Sequence, residues 1–260
     1  MSAPRLHVIP ALACEKALVL RRGPSRRVAS LLWDRATGEV TLGQWLKGRI
    51  YEHRSDLSPD GRHMIVFAGT GQKWWTAISR APWLRAIHII PTDHTWHGGG
   101  AFDGAGGVIL NDIPTPEALP DGLRRAPDGA LPPASDGVHQ GGLCAARMAL
   151  RGWRDAGGEG YTQAMDKDAG HGWTLRQGFT LGARGRGLLS NTYALHGATG
   201  RIETDWEWAE PWRGGLQIAR AGALWSVPLG EDGPGDASII HDFTPMTFEA
   251  IAAPYDGQRI

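Results

Sequence analysis

The stretch Ser58–Phe67, SPDGRHMIVF, contains the clearest turn-and-strand unit in the chain. Pro59 fixes its φ angle at about −65° and Gly61 accepts a positive φ, so the chain reverses direction here. The run Met64–Phe67 is rich in β-favouring side chains and follows the turn directly, which predicts a strand. Because Asp56–Leu57 precedes the turn, the stretch as a whole predicts a β-hairpin.

The composition favours many short strands over helices. The 260 residues include 37 Gly and 17 Pro, and the apolar residues occur in short runs between Gly, Pro and Asp. This spacing is typical of strands joined by turns, and 12 Trp supply large side chains for packing between sheets. A chain of this length can bury a sizeable core, and we expect residues 1–260 to form a single domain.

Charge and cysteine content exclude several classes of partner. The chain has 27 basic and 27 acidic residues, so no global basic surface predicts binding to nucleic acid or to an anionic membrane. No apolar stretch reaches the roughly 18 residues that a membrane-spanning helix needs. Cys14 and Cys144 lie far apart, which indicates neither a disulfide framework nor a cysteine zinc site and predicts a cytoplasmic protein.

The turn also carries a family resemblance. The pattern Asp-x-Ser-Pro-Asp-Gly over Asp56–Gly61, followed by an apolar strand, resembles the repeat of the TolB-type, WD40-like β-propellers. This resemblance implies a propeller fold and says little about function.

Landmarks elsewhere in the chain repeat at a nearly constant spacing. Ala36–Val40 matches Ala198–Ile202, and Thr92–Trp96 aligns with Thr244–Phe248, with offsets between 150 and 162 residues for these and two further landmarks. Self-similarity of this kind is typical of repeat architectures.

The two ends of the chain carry complementary parts of one repeat. Ala17–Leu20, Val28–Trp33 and Glu39–Trp45 predict three strands, and Phe248–Ala253 predicts the innermost strand that these three lack. A ring closed in this way leaves no open sheet edge. The sequence therefore predicts an all-β, five-bladed β-propeller closed by N- and C-terminal strands that share one blade. A β-sandwich is the alternative, but it leaves the complementary ends unexplained.

An insertion interrupts the blade that starts at His97. Residues 114–142 are rich in Pro, Gly and Asp, which predicts a surface loop that adds little to the core. After it, Ala145–Leu150 is expected to return to the blade as a strand.

A ring of ionisable side chains is expected where the innermost strands begin. Each of these starts has Glu or His, after an aromatic residue in four of the five cases, and we expect the five to converge at one mouth of the channel. They are Glu52, His97, His171, Glu207 and Glu249. His53 competes with Glu52 for its position. A mixed set of imidazoles and carboxylates suits a divalent metal such as Zn²⁺, Mn²⁺ or Fe²⁺, while hydrogen bonding between blades is the alternative role.

Other local motifs carry weaker signals. Asp93-His94-x-x-His97 is a local cluster of acid and histidine, a pattern that is more often a turn than a site. Gly98–Gly100 precedes no helix signal, so no nucleotide cofactor is expected.

These observations support two functions. The first is a binding or scaffold module that engages a protein partner through a propeller face, since no catalytic motif stands out. The alternative is a metal-dependent hydrolase, lyase or oxygenase that uses the ring. The sequence leaves enzymatic activity open.

Overall fold

A computed structural model of the chain describes residues 3–23, 26–131, 140–158, 162–181, 189–198 and 200–255. Within these ranges the chain forms mainly antiparallel sheets, four of them with four or five strands and one with two. The contacts divide the chain into two compact units. The first comprises Val8–Leu150 and the chain from Met246, and the second comprises Ala3–His7 and Arg151–Pro245.

The first sheet has its strands in sequence order. They are β1 (Arg5–Pro10), β2 (Lys16–Arg22), β3 (Arg27–Asp34) and β4 (Val40–Lys47).

The second sheet contains the SPDG turn between two of its strands. Its strands are β5 (Arg49–Ile50), β6 (Asp56–Leu57), β7 (His63–Thr70), β8 (Lys73–Arg80) and β9 (Ala86–Thr92). The hairpin and the helix that follow are β10 (Gly100–Phe102), β11 (Val108–Leu110) and α1 (Gln140–Leu150).

The second unit holds the remaining two sheets. The third sheet consists of β12 (Arg154–Asp155), β13 (Thr162–Gly170), β14 (Trp173–Leu181), β15 (Leu189–Gly197) and β16 (Gly200–Glu203). The fourth consists of β17 (Trp208–Trp212), β18 (Gly215–Arg220), β19 (Ala223–Gly230), β20 (Gly233–Pro234) and β21 (Ser238–Asp242), and both of the last two strands pair with β19.

The second sheet is buried on both faces, as the side chains of strand β7 show. Alternate side chains of a strand point to opposite faces. Met64 and Val66 pack in a cluster with residues of the first sheet, such as Leu18 and Leu20. Ile65 packs in a second cluster with residues of the hairpin and the C-terminal tail. A sheet covered on both faces in this way behaves like a blade between two neighbours.

The sheets confirm that the fold is mainly β, but they differ from the prediction in the number of blades. Four sheets have the size and sequential strand order of propeller blades. The prediction of five is wrong for the described residues, because β10 and β11 form only a two-stranded sheet. Ala145–Leu150 was expected to extend that sheet, but it lies in helix α1.

The predicted closing strand is also wrong. Phe248–Ala253 adopts no strand, and the first sheet takes its remaining strand, β1, from the N-terminal segment Arg5–Pro10. The single-domain interpretation stays a prediction.

The described part of the insertion contacts the core, contrary to expectation. Leu119 and Leu123 pack against the cluster around Ile65, and Ala126 is buried. The backbone N–H of Ala126 also donates a hydrogen bond to the carbonyl oxygen of Val108, with an N···O distance of 3.0 Å. Residues 132–139 of the insertion lie outside the described ranges.

Within the described part of the chain, no helix combines the length and apolar character that crossing a membrane would require.

Candidate functional site

The SPDG turn is fixed by the side chain of Ser58. Its Oγ accepts hydrogen bonds from the backbone N–H groups of Arg62 (3.1 Å) and His63 (2.9 Å) and donates one to Asp60 Oδ1 (2.6 Å). Gly61 adopts φ +71°, which few other residues accept. Partial burial alone would raise the pKa of Asp60, but hydrogen bonds from Ser58 and from the Arg62 N–H hold it below its ordinary value.

A charged cluster lies beside this turn and joins it to the insertion. Asp121 accepts two hydrogen bonds from the Arg80 guanidinium, from Nε to Oδ2 at 2.5 Å and from Nη2 to Oδ1 at 2.7 Å. His63 Nε2 lies 3.2 Å from Asp121 Oδ2. The hydrogen bonds from Arg80, with a smaller contribution from His63, lower the pKa of Asp121 from 3.8 to about 2. Asp121 is therefore ionised at neutral pH.

Together these residues form one wall of a cavity of about 840 Å³. We call it the basic groove, and its charged lining residues are Lys16, Asp60, Arg62, Arg80, Asp121 and Arg124. Because Arg80 is paired with Asp121, the lining residues that remain are three cations and one carboxylate, that of Asp60. The groove therefore has an excess of positive charge, which favours an anionic ligand.

The ion pair at Asp121 gives a testable dependence on pH. We expect Asp121→Asn to lower the free energy of unfolding at pH 7 by about 1 kcal/mol, since the pair is partly screened by solvent. The folded-state pKa is depressed, so this stabilisation is complete above the ordinary pKa of 3.8 and is lost as the pH falls towards 2. The difference between wild type and variant should shrink over that window in urea denaturation.

The exposed residue Asp128, which pairs with Arg125 outside the groove, supplies the control. Asp128→Asn should change the free energy of unfolding little at any pH. A difference between wild type and Asp121→Asn that stays constant from pH 7 to about pH 2 would contradict the assigned ion pair.

The five residues predicted to form a ring occupy distinct surroundings. Glu52 pairs with Arg22 at 3.4 Å, and His97 Nδ1 lies 3.1 Å from Asp112 Oδ2. His171 occupies an exposed turn with φ +54°, and Glu249 is exposed.

Glu207 is half-buried. It accepts a hydrogen bond from the Leu6 N–H at 2.7 Å. Burial raises its pKa, and the bond from Leu6 only partly opposes this effect. Among the residues that the structure describes, no three His, Cys, Asp or Glu side chains come together as a metal site. The ring stays a prediction.

Sequence reasoning located the turn but missed the groove. Arg62 and His63 adjoin the SPDG motif, so two of the relevant residues were visible locally. Asp121 lies 58 residues from His63, in a segment that its composition marked as a loop, and no local pattern predicts that it folds back onto the turn.

Comparisons with known proteins leave the family open. No protein-family model matches the chain, and no curated protein matches it. Among solved structures, it is similar to the uncharacterized protein lmo1340 from Listeria monocytogenes EGD-e, with 10% identity, a TM-score of 0.34, and coverage of 94% of this chain and 85% of that one.

A second similar structure is the β-propeller domain of the Trilobed protease from Pyrococcus furiosus, described as having an open velcro topology. The identity is 9% and the TM-score 0.30, and the match covers 92% of this chain and 84% of that one. Similarities this distant carry no conclusion about the activity of this chain, so the proposals below rest on its own residues.

Proposed function

We propose that the chain is a TolB-like, WD40-like propeller module that binds a protein partner, and that the basic groove receives an acidic segment of this partner. The observation that carries the proposal is the excess of cationic side chains over carboxylates in one groove of about 840 Å³. The Asp-x-Ser-Pro-Asp-Gly turn, which gives the resemblance to this class of propeller, forms part of the groove wall.

The character of the lining supports a charged peptide over an apolar small molecule. Pockets for small molecules are lined mainly by apolar and aromatic side chains. The basic groove has some apolar lining residues, such as Leu32 and Leu123, but no Phe, Tyr or Trp among the described residues, and Lys16, Arg62 and Arg124 also line it. Long cationic side chains around a cleft are suited to carboxylates.

The groove is also held in shape before any ligand binds. Ser58 Oγ fixes its turn by accepting two backbone hydrogen bonds and donating one to Asp60. On the opposite loop, Asp103 Oδ1 accepts hydrogen bonds from the N–H groups of Ala105 (2.9 Å) and Gly107 (2.6 Å). A site that is already ordered loses less conformational entropy on binding, which favours affinity.

Charge reversal in the groove tests the proposal. A fluorescein-labelled peptide rich in Glu and Asp should bind the wild type in fluorescence anisotropy, and added salt should weaken the binding because charge is screened. We expect the double variant Arg62→Glu/Arg124→Glu to bind at least about tenfold more weakly, since it replaces two attractions with two repulsions.

Arg125 provides a matched control because it adjoins Arg124 in sequence. Its guanidinium is exposed and pairs with Asp128 at 2.9 Å, and it does not line the groove. Arg124→Glu should therefore weaken peptide binding while Arg125→Glu, with the same change in net charge, should not. Equal effects of the two single variants would show that the peptide responds only to net charge, and would contradict the groove as the site.

A further inference from the structure

The loop of residues 93–99, which follows strand β9, is anchored by hydrogen bonds from a buried arginine. Arg54 is only 5% exposed, and its Nη1 donates hydrogen bonds to the carbonyl oxygens of Thr95 (2.7 Å) and His97 (3.4 Å). The guanidinium also lies over the ring of Phe67, 5.1 Å from its centre. The loop backbone is thereby tied to the core of the first unit.

Two glycines fix the end of the same loop. Gly98 and Gly99 have φ angles of +116° and +81°, and a Cβ atom at either position would overlap Phe67 or Arg54. The Gly99 N–H donates to Thr76 Oγ1 at 2.8 Å, and Asn111 Nδ2 donates to the Gly98 carbonyl at 3.1 Å. The backbone that carries the side chains of this loop is therefore ordered in advance.

The loop presents two histidines close together. The ring centres of His94 and His97 lie 4.9 Å apart, with an angle of 63° between the ring planes, and both side chains are 44% exposed. His97 Nδ1 lies 3.1 Å from Asp112 Oδ2, which leaves Nε2 as the nitrogen that can coordinate a metal. Trp96, between them in sequence, is 78% exposed.

We propose that His94 and His97 form a two-histidine site for a late first-row dication, Zn²⁺, Ni²⁺ or Cu²⁺, with water in the remaining coordination positions. Imidazole nitrogen is a preferred ligand of these ions. A carboxylate hydrogen-bonded to the second nitrogen of a metal-binding histidine orients the ring and raises its basicity, and Asp112 stands in that position. The site is independent of the basic groove.

This assignment differs from the predicted ring in the histidine that it pairs with His97. The ring pairs His97 with His171, whereas the loop pairs it with His94. The proposed site needs two side chains only, so it accords with the lack of any three-residue metal cluster among the described residues. The two assignments can be separated by which histidine variant loses the metal.

Isothermal titration of NiCl₂ into tag-free protein tests the site. We expect one Ni²⁺ per chain in the wild type and loss of this binding in both His94→Ala and His97→Ala. His171→Ala, the matched control, should bind as the wild type does. Asp112→Asn should bind about tenfold more weakly, the usual effect of removing an orienting carboxylate. Because the loop is anchored through backbone atoms, far-ultraviolet circular dichroism should show that all four variants are folded.

Tryptophan fluorescence gives a second readout. Cu²⁺ bound at the loop should quench Trp96, so Trp96→Phe should reduce the Cu²⁺-dependent quench without changing the Ni²⁺ stoichiometry. Ni²⁺ binding that survives in His94→Ala would overturn the proposal, and its loss in His171→Ala would assign the metal to the ring instead. Quenching that is unchanged in Trp96→Phe would also place the metal away from this loop.

Discussion

Replacement of Asp56 by Ala should destabilise the protein by about 3 kcal/mol, because it removes a buried carboxylate that faces the Arg147 guanidinium and accepts a hydrogen bond from the Phe102 N–H. Asp56 and Arg147 are 2% and 4% exposed, and Asp56 Oδ1 lies 3.6 Å from Arg147 Nη1. The other carboxylate oxygen accepts a hydrogen bond from the Phe102 N–H at 2.9 Å. This one side chain therefore joins strand β6 to both helix α1 and strand β10. Urea denaturation at pH 7 measures the loss.

Two companion variants separate the charge from the hydrogen bond. Asp56→Asn keeps an acceptor for the Phe102 N–H and removes the negative charge. Its free energy of unfolding should therefore lie between those of the wild type and Asp56→Ala. Asp56→Ala/Arg147→Met removes both charges and should cost less than Asp56→Ala alone, since the buried guanidinium is removed together with the carboxylate that faces it. If the free energy of unfolding of Asp56→Ala lies within about 1 kcal/mol of the wild-type value, the ion pair does not stabilise the fold as proposed.

The sequence predicted those strands that turn signals mark on both sides. The SPDG turn and the run Met64–Phe67 predicted β7 directly, and the strands predicted at Ala17–Leu20 and Val28–Trp33 fall within β2 and β3. These elements are visible because Gly and Pro punctuate the chain around short β-favouring runs. Local sequence determines where such strands begin and end.

The errors came from imposing the repeat where local sequence disagreed with it. In α1 the residues Leu143, Cys144, Arg147 and Met148 recur at the three- and four-residue spacing of a helix and are all buried, yet the repeat called for a strand. Arg5–Pro10 alternates as a strand does, but the predicted repeat assigned it to no blade. Once β1 fills the first sheet, no place is left there for a C-terminal strand.

The candidate sites were less predictable than the fold because they depend on contacts between distant residues. The pairing of Asp121 with Arg80 spans 41 residues, and Arg54 reaches the carbonyl of Thr95 over the same separation. Neither pairing follows from composition or periodicity. The His94 and His97 pair was visible as a motif, but the anchoring that makes it a rigid loop was not.

Truncation of the chain after Thr247 should remove cooperative folding of the first unit, although residues 248–255, the described part of the removed segment, form no strand. Ala253 and Tyr255 are each 4% exposed and belong to the cluster around Ile65 and Ile78. Tyr255 also donates a hydrogen bond to the Arg85 carbonyl at 2.6 Å, and its ring lies 4.7 Å from the Arg80 guanidinium. Loss of a buried aromatic side chain alone costs about 3–5 kcal/mol, and the truncation also exposes the apolar face that the side chain covered.

A chain that ends at Gly257 is the control, because it keeps Ala253 and Tyr255 and should melt as the wild type does. Within the full-length chain, Tyr255→Phe removes only the hydroxyl and should cost about 1 kcal/mol, whereas Tyr255→Ala should approach the effect of the truncation. Thermal melting followed by near-ultraviolet circular dichroism distinguishes these cases, since that signal reports aromatic packing. A cooperative, wild-type-like transition in the chain that ends at Thr247 would mean that the tail covers the core without stabilising it.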